Sequence, residues 1–116
     1  MHNYKELKVW NKSVNLATDI YQQTKNFPKS EIYGITSQIR RSAISISSNI
    51  AEGAGRSGKK EFKHFLNISN GSAFELETQI IISKNLEYIS SEKFDLLNEP
   101  IIEIQKMLYM LIKSID

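Results

Sequence analysis

The residues best equipped for chemistry lie between positions 40 and 63. That stretch carries Arg40, Arg41, Arg56, Lys59, Lys60 and Lys63 against two acids, Glu52 and Glu61. The whole chain holds 15 basic and 13 acidic residues, a formal charge of +2. The small sum conceals a basic middle, because from residue 64 onward four lysines face eight acids. Such asymmetry marks an anionic partner, or two surfaces of one protein that pair with each other.

Within this stretch, Gly53-Ala54-Gly55-Arg56-Ser57-Gly58-Lys59-Lys60 matches G-x-G-x-x-G and most of a Walker A loop. Both motifs cradle phosphate because glycine lets backbone N–H groups approach oxygen at a helix start. Both also need a strand before the loop, and the pattern here is helical. Lys60 stands where a magnesium-binding serine or threonine belongs. The motif is therefore read as a helix end followed by a helix start. What remains is electrostatic: Arg56, Lys59, Lys60 and Lys63 gather at a helix N-terminus, where the dipole is already positive and acids are favoured. A phosphate backbone, a bound anion or a neighbour's acidic surface would reverse the sign. Arg40 and Arg41, with Gln38, Glu52, Glu75 and Gln79, suit a polar network inside the bundle or between subunits. The guanidinium fork fits carboxylate and phosphate equally.

Other candidate chemistry falls away. Glu61-x-x-His64 has the spacing used in dimetal bundles, but the only other histidine is His2, so no second motif exists. Glu75 and Glu77 are two residues apart, on different helix faces, and form no acid–base pair. No serine has a recognisable activating base. With no cysteine, thiolate metal sites, disulfides and a cysteine nucleophile are excluded. The expectation is a protein without enzymatic activity, cofactor or metal.

The elements that must position these residues are helices. Leu7, Trp10, Val14, Ala17, Tyr21 and Thr24 recur at three- and four-residue steps over residues 4–25, with Asn3 and Glu6 forming a capping pair. A second helix starts at a Ser30 cap and runs to about residue 53, its stripe being Ile32, Ile35, Ile39, Ala43, Ile46 and Ile50. Gly53-Ala54-Gly55 supplies left-handed residues to end it, and Ser57 caps the next. That third helix, over residues 58–88, carries Phe62, Phe65, Leu66, Ser69, Ala73, Leu76, Ile80 and Ser83; Gly71 in its middle implies close packing. The fourth, capped at Ser90 and reaching about Ser114, carries Phe94, Leu97, Ile101, Ile104, Leu108, Leu111 and Ile115, with a kink at Pro100.

Four such helices with short connections predict an all-α, antiparallel up-down-up-down bundle forming one domain over residues 1–116. Val9, Ile44, Ile68, Ile82, Ile102, Met107 and Met110 fall outside the stripes and point to self-association. The longest aliphatic run, Ile80 to Ile82, is far short of the ~20 residues of a membrane span. No hydrophobic leader opens the chain, so a cytoplasmic protein without membrane contact is expected.

Several runs follow in a recognisable order. They are Val9-Trp10-x-Lys12, Phe27-Pro28, Glu31-x-Tyr33-Gly34, Ser37-Gln38-x-Arg40-Arg41-Ser42-Ala43 and Ser48-Asn49-Ile50-Ala51-Glu52-Gly53-x-Gly55-Arg56, then Glu61-Phe62-x-x-Phe65-Leu66, Gly71-Ser72 and Glu75-Leu76-Glu77-Thr78. The sequence resembles the bacterial 23S ribosomal RNA intervening-sequence proteins over nearly its whole length. One departure is Ser47, where members often carry proline, which removes a reason for a kink in the second helix. The resemblance implies a ring-like homopentamer without enzymatic activity. A similar bundle, the accessory protein of diversity-generating retroelements, uses a basic pentameric barrel to engage nucleic acid and a reverse transcriptase. The resemblance favours association with RNA or DNA, and the basic middle of the chain supplies the expected contacts, Arg40, Arg41, Arg56, Lys59, Lys60 and Lys63. The alternative is an oligomeric scaffold for protein partners, its arginines spent on salt bridges between helices or subunits.

Overall fold

The structure, a computed structural model, describes residues 3–115. Among them there is no strand. Four helices, α1 (Lys8–Thr24), α2 (Ile35–Ala54), α3 (Lys59–Asn85) and α4 (Ser91–Ser114), are joined by short connections, with 3-10 turns at Tyr4–Glu6 and Lys29–Glu31. Helix α1 packs on α2 and α4, and α3 packs on the same two helices, so the four close around one core. Leu16, Ile20, Ile39, Ile46, Ile50, Leu66, Leu76, Ile80, Ile101, Ile104 and Leu108 are buried there. The molecule measures 43 × 24 × 19 Å, the long dimension lying near the length of the 27-residue α3.

Helices α3 and α4 bury the stripes their periodicity predicts, apart from Phe65, Phe94, Leu111 and Ile115 at the margins. Helix α1 does not. Its buried face is Val9, Ser13, Leu16, Ile20 and Thr24, turned by one residue, about 100°, from the expected stripe. Trp10, Val14 and Ala17 flank the core, Tyr21 is exposed, and Val9, expected outside, is inside. Thr24 is common to both stripes, and one hydroxyl, that of Ser13, disguises the true one. Ser13 Oγ donates to the Trp10 carbonyl at 2.8 Å and Thr24 Oγ1 to the Ile20 carbonyl at 2.7 Å, so both are buried at little cost.

The helix ends differ as well. Asn3 accepts the Lys5 N–H, but it caps the 3-10 turn; Leu7 is extended and α1 begins after it. Ser30 caps nothing: it lies in the second 3-10 turn, α2 starts after Gly34, and Ile32 is exposed. No glycine among the described residues has a positive φ, so α2 ends right-handed, with the Gly55 N–H shared by the Ala51 and Glu52 carbonyls. Gly58, not Ser57, precedes α3. Ser90 caps α4 as expected, accepting the Lys93 N–H at 3.1 Å, and α4 runs through Pro100 as one helix.

Helices α2 and α3 share a seam of small and hydroxylic side chains. Ser42 Oγ donates to Glu75 Oε1 at 3.0 Å, Ser45 and Ser72 hydroxyls meet at 2.9 Å, and Ser69 Oγ donates to the Ile46 carbonyl at 2.8 Å. Along the seam residue numbers rise on α2 as they fall on α3. It closes at Gly53, where an added Cβ would stand 2.8 Å from Phe65 Cβ. The close approach expected at Gly71 is absent, since nothing lies within 4 Å of a Cβ built there.

The left-handed residue at a helix end appears at Glu87, φ 63°, after α3. The Tyr88 N–H returns to the Ser83 carbonyl and the Glu87 N–H to Lys84, both at 2.9 Å, a Schellman arrangement. A side chain in this conformation costs ~1–2 kcal/mol, so Glu87→Gly is expected to raise stability by about 1 kcal/mol, read by urea denaturation.

Tyr88 then ties the α3–α4 connection to the turn before α2. Its hydroxyl donates to Glu31 Oε2 at 2.7 Å, and its ring lies 5.5 Å from that of Phe27. The hydrogen bond to Glu31 raises the phenol pKa above its ordinary value, helped by burial and by the carboxylate charge. Because folding raises this pKa, the stabilisation is present below the ordinary tyrosine range and disappears as pH climbs through the raised value. An ultraviolet titration should show a phenolate component above that range, and Tyr88→Phe should remove it.

Candidate nucleic-acid interface

The α2–α3 corner presents four of the six basic residues. After Gly55 ends α2, Arg56 folds back: its guanidinium lies 3.5 Å from Glu52, 3.9 Å from Glu61 and 5.0 Å from the Phe65 ring centroid. These are surface pairs, worth about 0–1 kcal/mol each, and they spend the Arg56 charge locally. Lys59, Lys60 and Lys63 differ. All three are exposed, and none joins an ion pair among the described residues. Steps of three and four make them neighbours on one helix surface, about 5–6 Å apart at Cβ. Glu61 is the only acid in that first turn. The patch therefore adds three side-chain charges to the positive end of α3. His64, on the next turn, stacks edge-on against Phe65 at 5.4 Å.

Arg40 and Arg41 do not join this patch. Along α2, Arg41 lies ~20 Å from Ala54 at 1.5 Å per residue. The two arginines also point apart. Arg40 Nε donates to Thr24 Oγ1 at 2.9 Å and its guanidinium sits 4.7 Å from the Tyr21 ring centroid, at the C-terminal end of α1 where a cation is favoured. Arg41 opens instead into a polar cleft of about 400 Å³ between α2 and α3, lined also by Tyr33, Ser37, Gln38, Ser42, Glu75 and Gln79. Thus the six residues form three groups: a lysine patch with its tethered arginine, an arginine docked on α1, and an arginine in a cleft.

Tyr33 and Ser37 of that cleft escaped sequence reasoning. A signal existed for part of it: Ser37 and Arg41 are spaced by four, as are Glu75 and Gln79, which places each pair on one helix side, whereas Tyr33 stands in the turn before α2. Among the described residues, no group of three or more His, Cys, Asp or Glu side chains is arranged to hold a metal ion. Among them, too, no helix is long and apolar enough to cross a membrane.

Comparison with known proteins matches this architecture to a family. A crystal structure of a protein with unknown function from the S23 ribosomal protein family, from Bacteroides thetaiotaomicron, superposes with a TM-score of 0.84 at 31% identity. The match covers 90% of this chain and 95% of that one. No curated protein matches. Residues 5–110 fit the family described as 23S rRNA-intervening sequence protein. The Arg-Arg pair, the glycine corner and the lysine patch all lie inside that span, and the chain belongs to the 23S rRNA-intervening sequence protein family.

Proposed function

We propose that this protein is a non-enzymatic, cytoplasmic helical bundle that assembles as a ring-like homopentamer and holds RNA or DNA by its phosphate backbone. The observation that carries the reading is the patch of Lys59, Lys60 and Lys63 at the start of α3, exposed and without ion-pair partners among the described residues. Three like charges on adjacent helix positions repel one another and the helix dipole, and a phosphate strand relieves both. The up-down-up-down order is supported by the opposed numbering along the α2–α3 seam and by the short connections. Assembly is supported by the large apolar side chains left in water, among them Ile44, Ile68, Phe74, Ile82, Tyr109 and Met110. Repetition around a ring then multiplies a modest patch into a strong electrostatic surface.

The test is anisotropy titration of labelled RNA and DNA across a salt series. Log affinity is expected to fall linearly with log salt, with little dependence on sequence from the phosphate contacts. No binding at low ionic strength overturns it. A second reading, a scaffold for protein partners, is favoured by Arg56, whose charge is already matched by Glu52 and Glu61. Under that reading no salt-sensitive strand binding occurs.

A further inference from the structure

The polar cleft beside Arg41 has features that phosphate binding does not use. Resting on the reading just given, we infer that it receives a single unpaired nucleotide of the bound strand, one whose base carries an exocyclic amine.

Three observations converge. First, Gln79 is only 9% exposed, and its Oε1 is buried without a hydrogen-bond partner although the residue lines the cleft. A buried unsatisfied acceptor is costly, and a turn of the Gln79 amide toward the cleft would let a ligand N–H satisfy it. Glu75 adds a second acceptor: Ser42 occupies its Oε1, and Oε2 has no hydrogen-bond partner among the described residues. Second, Tyr33 at the mouth is 95% exposed, an aromatic face standing in water where a flat ring could stack. Third, Arg41 is exposed and outside any ion pair among the described residues, placing a phosphate-seeking fork beside those acceptors.

The volume, about 400 Å³, admits one nucleotide and not a duplex. A base can present its edge there only when unpaired and unstacked, the way single strands are read. With its ring on Tyr33, the base gives its amine to Gln79 and Glu75, its adjoining phosphate lies on Arg41, and Gln38 can donate to a ring nitrogen or carbonyl. Cytosine and adenine fit this pattern. Thymine and uracil place a carbonyl oxygen where the acceptors require an N–H, and are disfavoured.

The experiment compares labelled oligo(dC), oligo(dT) and an abasic strand of equal length, with cytidine monophosphate as a separate arm. Oligo(dC) is expected to bind about tenfold more tightly than oligo(dT), which lacks the amine, and than the abasic strand, which also lacks the stacking ring, and Tyr33→Ala to lower it toward the abasic level. Tyr33 is so exposed that its loss leaves the core intact, and Gln79→Leu serves as the second variant. Equal affinity of wild-type protein for all three strands overturns the nucleotide site while leaving phosphate binding in place. Failure of every strand to bind at low salt overturns the phosphate reading itself. Saturable binding of cytidine monophosphate without strand binding assigns the cleft to a free nucleotide and overturns its role on a strand.

Discussion

Replacing Gly53 by valine is expected to remove about 3 kcal/mol or more of stability, out of the 5–15 kcal/mol that holds a typical domain. The position lies at a tight approach of α2 and α3. A Cβ there would stand 2.8 Å from Phe65 Cβ, 3.2 Å from Phe62 Cδ1 and 3.3 Å from the Phe62 carbonyl oxygen. Phe65 Cβ is the near end of its side chain, fixed to the α3 backbone, so no rotamer change moves it aside. The helices must part, stretching the nearby Ser69–Ile46 contact of 2.8 Å. Alanine gains about 1 kcal/mol in helix propensity over glycine and loses about 1–3 kcal/mol to overpacking. Gly53→Ala should therefore lose a net ~1 kcal/mol, and valine, with two more methyls, considerably more. Gly71→Ala is the control. Its Cβ meets open space, so it keeps the propensity gain and stabilises by about 0.5–1 kcal/mol. Urea midpoints read both, and a Gly53→Ala variant as stable as Gly71→Ala would refute the close-approach explanation.

Neutralising Lys59, Lys60 and Lys63 together to glutamine should abolish most strand binding at low salt. Each lysine that meets a phosphate releases a counterion, contributing about 0.7 to the slope of log affinity against log salt on a single strand and about 0.9 on a duplex. Three lost contacts flatten the slope by about 2–3 and weaken binding at 50 mM salt by a hundredfold or more. Stability should hold or rise slightly, because like charges leave the positive end of α3. Unchanged circular dichroism with an unchanged salt slope would remove the patch from the interface. By contrast, Arg56→Gln should alter the slope little, its charge being offset by Glu52 and Glu61.

The long-period features of the fold were legible, and the short-range exceptions were not. Phe62, Leu66, Ala73, Leu76 and Ile80 announce α3, and Leu97, Ile101, Ile104 and Leu108 announce α4, because their buried positions are apolar almost throughout. Helix α1 hides its face because Ser13 satisfies its hydroxyl on its own helix and passes into the core, while the larger Trp10 and Tyr21 mark a neighbouring stripe that stays at the margin. The glycines exchange roles for a related reason. Gly53 looks like a terminator and is a contact; Gly71 looks like a contact and is open, since neither sequence neighbourhood reveals what stands opposite. Adjacent Arg40 and Arg41 read as one patch, yet the turn of the helix sends one to α1 and the other toward α3. Of the six basic residues, only the lysines, spaced by three and four on one helix, could be grouped from spacing alone.

The α2–α3 seam also bears on the order in which the chain assembles. The two helices are adjacent in sequence, separated by residues 55–58, and they share the most extensive interface in the molecule. Closing so short a connection costs little chain entropy, whereas bringing α1 against α4 must close nearly the whole chain. The hairpin of α2 and α3 should form first and serve as the template on which α4 and then α1 condense. Stopped-flow measurements would then find Gly53 substitutions slowing refolding, while truncations at Leu16 chiefly hasten unfolding.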